Sequence, residues 1–198
     1  MPKAKAKKNP EFKIAEAALR LIARQDWNRL TLDEVARAAK MPLAQAKKIF
    51  PDKNSLLPAI VRLIDAQMAA AIGKPDLDAI PHDRLFEVMM ARMDILQANR
   101  RAILAIMDAA RRDPRMVQKL LSAQAQSMRS ILRHAALEPD KIREPFVIAG
   151  LLGIYGFALC VWRNDSSPDM SKTMANLDRT LRRAAIIAEI LLRAQTRR

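Results

Sequence analysis

TLDEVARAAKMPLAQAKKIFPDKNSLL, residues 31–57, decides the fold. Thr31 followed by Glu34 is a capping-box start, and Leu32, Val35, Ala36 and Ala39 lay down an apolar stripe at helical spacing. A second short helix is predicted over residues 42–49, with Pro42 in its first turn and Phe50-Pro51 closing it. Asp52 then caps a longer helix that runs to about Ala71 and ends at Gly73 and Pro75, with Pro58 inside its first two turns. Two short helices joined by a tight turn, with a third following at once, form a helix-turn-helix unit. Its second helix carries Gln45, Lys47 and Lys48 on the polar side. An amide and two cations on a short exposed helix suit a DNA major groove.

Outward from this unit the chain reads as helix throughout. Residues 1–10 are a Lys-rich flexible arm holding Lys3, Lys5, Lys7 and Lys8. Residues 11–24 place Phe12, Ala15, Leu19 and Ile22 on one helical face, and Trp27 follows in a short loop. Further helices are predicted at about 83–98, 100–111, 114–136, 144–163 and 167–196, with Asp113-Pro114 and Ser167-Pro168 marking two starts. No segment alternates with period two for long enough to make a strand. The fold class is therefore all-α, with about nine helices. A three-helix head (11–60) follows the arm (1–10) and precedes a helical body (61–198).

The chain has 198 residues and a formal net charge of +14, which points to a polyanionic partner. Residues 1–60 carry 13 Lys/Arg against 6 Asp/Glu, so the head has the denser positive field. Cys160 is alone in an apolar run, which excludes a disulfide framework and makes it a small buried hydrophobe by expectation. His82 and His134 stand on different segments, and no His/Cys/carboxylate grouping has metal spacing. No nucleophile sits in a catalytic motif, so neither an enzyme nor a cofactor is expected. The basic N-terminus lacks the apolar stretch of a secretory signal. The run PFVIAGLLGIYGFALCVW, residues 145–162, is at the lower edge for a membrane span and reads first as a buried helix. A cytoplasmic protein without a stable membrane span is the expectation.

Within the head each candidate contact has its own chemistry. Lys47, Lys48 and Lys53 can each neutralise a phosphate, and Lys53 also stands near a helix N-terminus that favours anions. Thr31 can donate to a phosphate. Gln45 has the amide geometry for bidentate adenine recognition, and Leu43 can touch a thymine methyl. The competing account of Lys47 and Lys48 is a solvated helix face.

Residues 11–60 resemble the DNA-binding domain of TetR-type transcriptional regulators. The likeness rests on the apolar first helix, Trp27 before Leu30-Thr31-Leu32, Val35-Ala36 with Ala39, and Phe50-Pro51-Asp52-Lys53 before Leu56-Leu57. Where that family runs Ala-Gly-Val-Ser in the turn, this chain has Ala39-Lys40-Met41-Pro42, so Lys40 must take positive φ or the turn must be built differently. Lys47 stands where the family has a Tyr. The resemblance implies a homodimeric repressor binding a double-stranded operator, paired through residues 144–163 and 167–196. It also implies a small apolar or amphipathic ligand held in the body. Gly150, Gly153 and Gly156, spaced by three, offer a close-contact face to a partner subunit or a neighbouring helix.

The body leaves its ligand chemistry open. Met89, Met93, Met107 and Met128, with Met90 and Met116, suit either an adaptable apolar pocket or an ordinary core. Tyr155 lies inside the apolar run and needs a hydroxyl partner, a backbone carbonyl or a ligand. Arg100-Arg101 and Arg111-Arg112 are either anion binders or helix-end cations. Trp162, Asp165, Ser167-Pro168-Asp169, Thr173 and Leu177-Asp178-Arg179 are similar to the end of the TetR-fold lipid-binding proteins of ubiquinone biosynthesis. That likeness implies the alternative function, a lipid or isoprenoid carrier with a vestigial head. Helix-start chemistry accounts for the same Asp165–Asp169 run.

Overall fold

A computed structural model describes the backbone of residues 9–195, with side chains up to Ala185. The arm lysines fall outside the described residues. Among those described, the chain is all-helical: α1 (Pro10–Ile22), α2 (Leu32–Ala38), α3 (Leu43–Ile49), α4 (Leu56–Ala71), α5 (Pro81–Ala98), α6 (Arg100–Ala110), α7 (Pro114–His134), α8 (Glu144–Arg163) and α9 (Ser171–Gln195). Two compact units emerge. One comprises residues up to Met68 with Asp94–Gln124, and the other Ala69–Met93 with the residues from Ala125 onward. The expected head, residues 11–60, lies within the first unit, which also takes in α6 and the start of α7.

In the first unit α1 is the central element. It buries Ile14, Ala15, Ala17, Ala18, Leu19 and Ile22 and packs against both α2 and α6. Short 3-10 turns at Trp27–Arg29 and Lys53–Ser55 bracket the two short helices. Asp52 caps the second of these turns, accepting from the Ser55 N–H at 2.7 Å, so α4 itself begins only at Leu56. That places Pro58 in the first turn of α4, where its missing N–H costs nothing.

The second unit holds α8 packed on α9. Here three expectations change. α9 starts at Ser171 rather than 167, because residues 165–170 form the loop that caps it. The apolar run of α8 is buried on one face only. Ile148, Leu151, Tyr155, Ala158 and Trp162 are inside, whereas Phe146 is 78% and Phe157 53% exposed. Cys160 lies on that open face and is exposed, contrary to the buried position expected of it. Among the described residues α8 is the one helix long and apolar enough to cross a membrane. A run that is apolar all round does not reveal which side its own chain will cover.

Asp165 organises the α8–α9 junction. Its carboxylate accepts from Thr173 N at 2.8 Å, Thr173 Oγ1 at 2.7 Å and Ser167 N at 3.1 Å, and from the Ser167 hydroxyl. Burial pushes its pKa up, but the bonds from Ser167 and Thr173 outweigh that and hold it far below the usual carboxylate range. The residues similar to the ubiquinone-type proteins thus spell a buried helix cap.

Candidate functional site

The α2–α3 unit is built by its caps. Thr31 Oγ1 accepts from Glu34 N at 3.3 Å, while Glu34 Oε2 accepts from Thr31 N at 2.8 Å and from Thr31 Oγ1 at 2.9 Å. This is the expected capping box, and it also uses the Thr31 hydroxyl proton that was assigned to a phosphate. The same bonds from the Thr31 backbone and hydroxyl hold the Glu34 carboxyl below its ordinary range.

At the other end of α2, Lys40 adopts φ 53°. Met41 N donates to Ala36 O at 2.9 Å and Lys40 N to Arg37 O at 3.0 Å. These are the two bonds of a Schellman stop, whose left-handed position normally belongs to glycine. The turn of the helix pair is therefore of the glycine type, with a lysine in the strained position.

Ala46 is the buried anchor of α3. With about 100° per residue, Ala44 and Lys48 point away from it, and Gln45 and Lys47 flank them. All four are exposed, and Leu43 is half-buried beside them. The structure therefore brings Gln45, Lys47 and Lys48 onto one open surface with no carboxylate on the helix. Ala44, at the centre of that surface, was missed in the sequence because a lone alanine carries no chemical signal. Its methyl group is small enough to allow close approach to a groove floor.

Lys53 is tied to the scaffold. Its Nζ donates to Trp27 O at 3.0 Å and Asn28 O at 3.2 Å, and sits 5.5 Å from the Trp27 ring centroid. Desolvation lowers its pKa. Two of the three ammonium donors join the two 3-10 turns, so Lys53 serves the scaffold as well as standing near the expected DNA surface. Beside it, Asp52 receives Lys119 Nζ at 3.1 Å on both oxygens. Burial raises the Asp52 pKa, and the Lys119 and Ser55 bonds more than offset this.

The expected ligand residues are divided between the two units. Met89, Met93, Met128 and Tyr155 are buried in the core of the second unit, while Met107 belongs to the first unit and is half-exposed. Tyr155 Oη accepts from the fully buried Arg92 Nε at 3.3 Å, and the guanidinium lies 5.3 Å from the ring centroid. Arg92 thus donates to the Tyr155 oxygen, a buried arginine partner that no local pattern in the sequence signals. A separate apolar cavity of about 510 Å³ does exist in the second unit. Leu85, Leu132, Phe146, Gly150, Ile154 and Leu181 line it, and His82 is its polar group. His82 Nδ1 is 2.8 Å from Asp83 Oδ1 and its Nε2 is 3.3 Å from Asp178 Oδ1.

No family model matches the sequence, and no curated protein matches it. Solved structures do match. A TetR transcriptional regulator from Nitrosomonas europaea has a TM-score of 0.71 at 20% identity, covering 90% of this chain and 99% of that one. One from Rhodococcus sp. RHA1 gives 0.65 at 17% identity, over 87% and 93% of the two chains. A third, from Streptomyces coelicolor, gives 0.57 at 19% identity, over 95% and 86%. Together with the capped helix pair and the glycine-type turn, these likenesses show that the chain has the TetR fold.

Proposed function

We propose that this protein is a homodimeric DNA-binding transcriptional regulator, a repressor, whose second unit takes a small apolar ligand. The observation that carries the reading is α3. It is a short helix anchored by Ala46 and fixed at both ends, presenting Gln45, Lys47 and Lys48 without a competing carboxylate. Gln45 reads an adenine edge, Lys47 and Lys48 neutralise phosphates, and Leu43 and Ala44 meet thymine methyls or the groove floor. Thr31 acts as a cap, with its hydroxyl and backbone N–H bonded to Glu34.

Dimerisation uses α8 and α9. Phe146, Gly150, Gly153, Phe157 and Cys160 recur at alternating spacings of four and three along the exposed face of α8, the seam pattern of paired helices. A Cβ built on Gly150, Gly153 or Gly156 meets nothing within 4 Å, so the chain itself does not use that closeness. A two-fold dimer matches a palindromic operator, one α3 to each half-site. The ligand site is the cavity at His82, and the ligand acts by preferring one spacing of the two heads. That same cavity supports the second reading, an apolar-ligand carrier whose head no longer reads DNA.

Titration against the upstream intergenic DNA and a scrambled duplex, at several salt concentrations, separates the two readings. The regulator prefers the intergenic DNA at every salt, by at least about 10³-fold at physiological salt. Equal affinity for both duplexes with only a salt slope overturns it.

A further inference from the structure

The His82 cavity and the exposed seam of α8 have residues in common. Phe146 and Gly150 stand in the seam, and both also line the cavity. Phe146 and its neighbour Val147, a third lining residue on α8, keep exposed side chains. At Gly150 the wall has no side chain, and a Cβ built there meets nothing within 4 Å. His82 and Leu85 of α5 and Leu132 of α7 face the same space, and all of these residues belong to the second unit. The wall that α8 supplies is thus at the same time the outer surface of the seam.

The charges around the cavity decide what it holds. Among the described residues no lysine, arginine, aspartate or glutamate lines it. His82 is the polar side chain on the wall, and its ring is already engaged. Nδ1 is 2.8 Å from Asp83 Oδ1, and Nε2 is 3.3 Å from Asp178 Oδ1 and 3.5 Å from Asp178 O. Phe86 stacks on the ring, with centroids 6.2 Å apart. Arg182, next to this cluster, donates through Nε to both Asp178 oxygens at 3.1 Å. An anionic group beside the imidazole would meet two carboxylates, and elsewhere in the cavity it would lose its water without a partner. A cation gains nothing in exchange for its own water, because neither Asp83 nor Asp178 lines the cavity.

We propose that this cavity is a site shared between two copies of the chain, in which an uncharged apolar molecule lies against Phe146 and Gly150 under the second copy's seam. The proposal rests on the α8 dimer and the ligand site put forward above, and adds the ligand's charge class and its dependence on the partner. Ligand and second copy each cover apolar surface that the other leaves in contact with water, so they bind cooperatively. By linkage, the tightening that the ligand gives the dimer is returned by the dimer to the ligand.

Phenylnaphthylamine is an uncharged probe of this class, and anilinonaphthalene sulfonate is the same skeleton with one anionic group added. Equilibrium dialysis of the full chain, above and below the dimer midpoint, measures the affinity of each. Phenylnaphthylamine should bind the dimer at least about tenfold more tightly than the protomer, and at least about tenfold more tightly than the sulfonate binds. At saturating probe, the dimer midpoint in light scattering should fall by at least about tenfold. Phe157→Glu loosens the seam at a residue that does not line the cavity, so its affinity for the probe should drop to that of dilute wild type. Leu85→Trp fills the cavity from α5 and should abolish probe binding, leaving the probe-free dimer midpoint within about twofold. Leu85→Phe is the milder variant should the tryptophan prevent folding. A dimer whose probe affinity is unchanged by dilution and by Phe157→Glu overturns the shared site and leaves the dimer standing. Equal or tighter binding of the sulfonate overturns the uncharged class. Absence of saturable binding by either probe overturns the proposal, while the operator titration still judges the regulator reading. Absence of a dimer at every concentration, with and without probe, overturns the dimer and this site together.

Discussion

Lys40 shows how a local rule is broken at a turn whose geometry is otherwise kept. A non-glycine residue in the left-handed region costs on the order of 1 kcal/mol, and both Schellman bonds form regardless. Ala136 sits in the same φ at the end of α7, with Leu137 N bonded to Leu132 O at 2.9 Å. Lys40→Gly should therefore raise stability by ~1 kcal/mol, read as a shift in the urea midpoint. An unchanged midpoint removes the strain argument. Lys53 gives the opposite expectation. Lys53→Ala should cost ~1 kcal/mol of stability through lost carbonyl bonds and ring contact, while leaving the salt slope of DNA binding unchanged. Lys48→Ala should leave stability nearly untouched and lower that slope by about 1. If Lys53→Ala flattens the slope as Lys48→Ala does, its ammonium reaches phosphate after all. That Gln45, Lys47 and Lys48 share one exposed helix was legible in the sequence, because their setting is local. The Lys53 bonds were not, since its partners lie 25 and 26 positions away and meet it only in the folded head.

At the level of elements, periodicity and caps carried most of the reading. The Thr31–Glu34 box, Pro114 at the start of α7 and the extents of α5, α6 and α8 follow from local rules that depend on nearby residues alone. The start of α9 did not, because Asp165 caps it from eight positions before Thr173, beyond the range of an ordinary N-cap pattern. That cap makes a prediction with a definite sign. The Asp165 pKa is depressed in the folded protein from the ordinary 3.8, so the folded state favours the charged form. Its contribution is fully present above about pH 4 and is lost as pH falls below that toward the folded value. Asp165→Asn should accordingly lower the melting temperature at pH 7. The gap between variant and wild type should narrow as pH is taken from 5 to about 3. A gap that stays constant over that range removes the carboxylate charge from the account and leaves only its shape.

For the whole molecule, the open question was which side of α8 the chain covers, and an apolar run cannot answer it in advance. The seam of Phe146, Gly150, Gly153, Phe157 and Cys160 forms a contiguous exposed apolar stripe on α8, the kind of surface that marks a contact site. Gly153→Ala separates the two levels of explanation. Within the protomer the new methyl meets nothing, and alanine is the better helix former by about 0.5–1 kcal/mol. An isolated subunit should therefore become more stable. Against a partner helix approaching over the glycines, the same methyl intrudes, so the dimer should loosen even as the protomer gains. Phe157→Glu should do so more strongly, by placing a charge in the seam. Light scattering across a dilution series reads the dimer, and denaturation at the lowest concentration reads the protomer. Since one α3 meets each half-site, the loosened variants should also lose operator affinity with their DNA-contacting residues untouched. If Gly153→Ala and Phe157→Glu both dimerise as wild type does, the seam faces something other than a second copy.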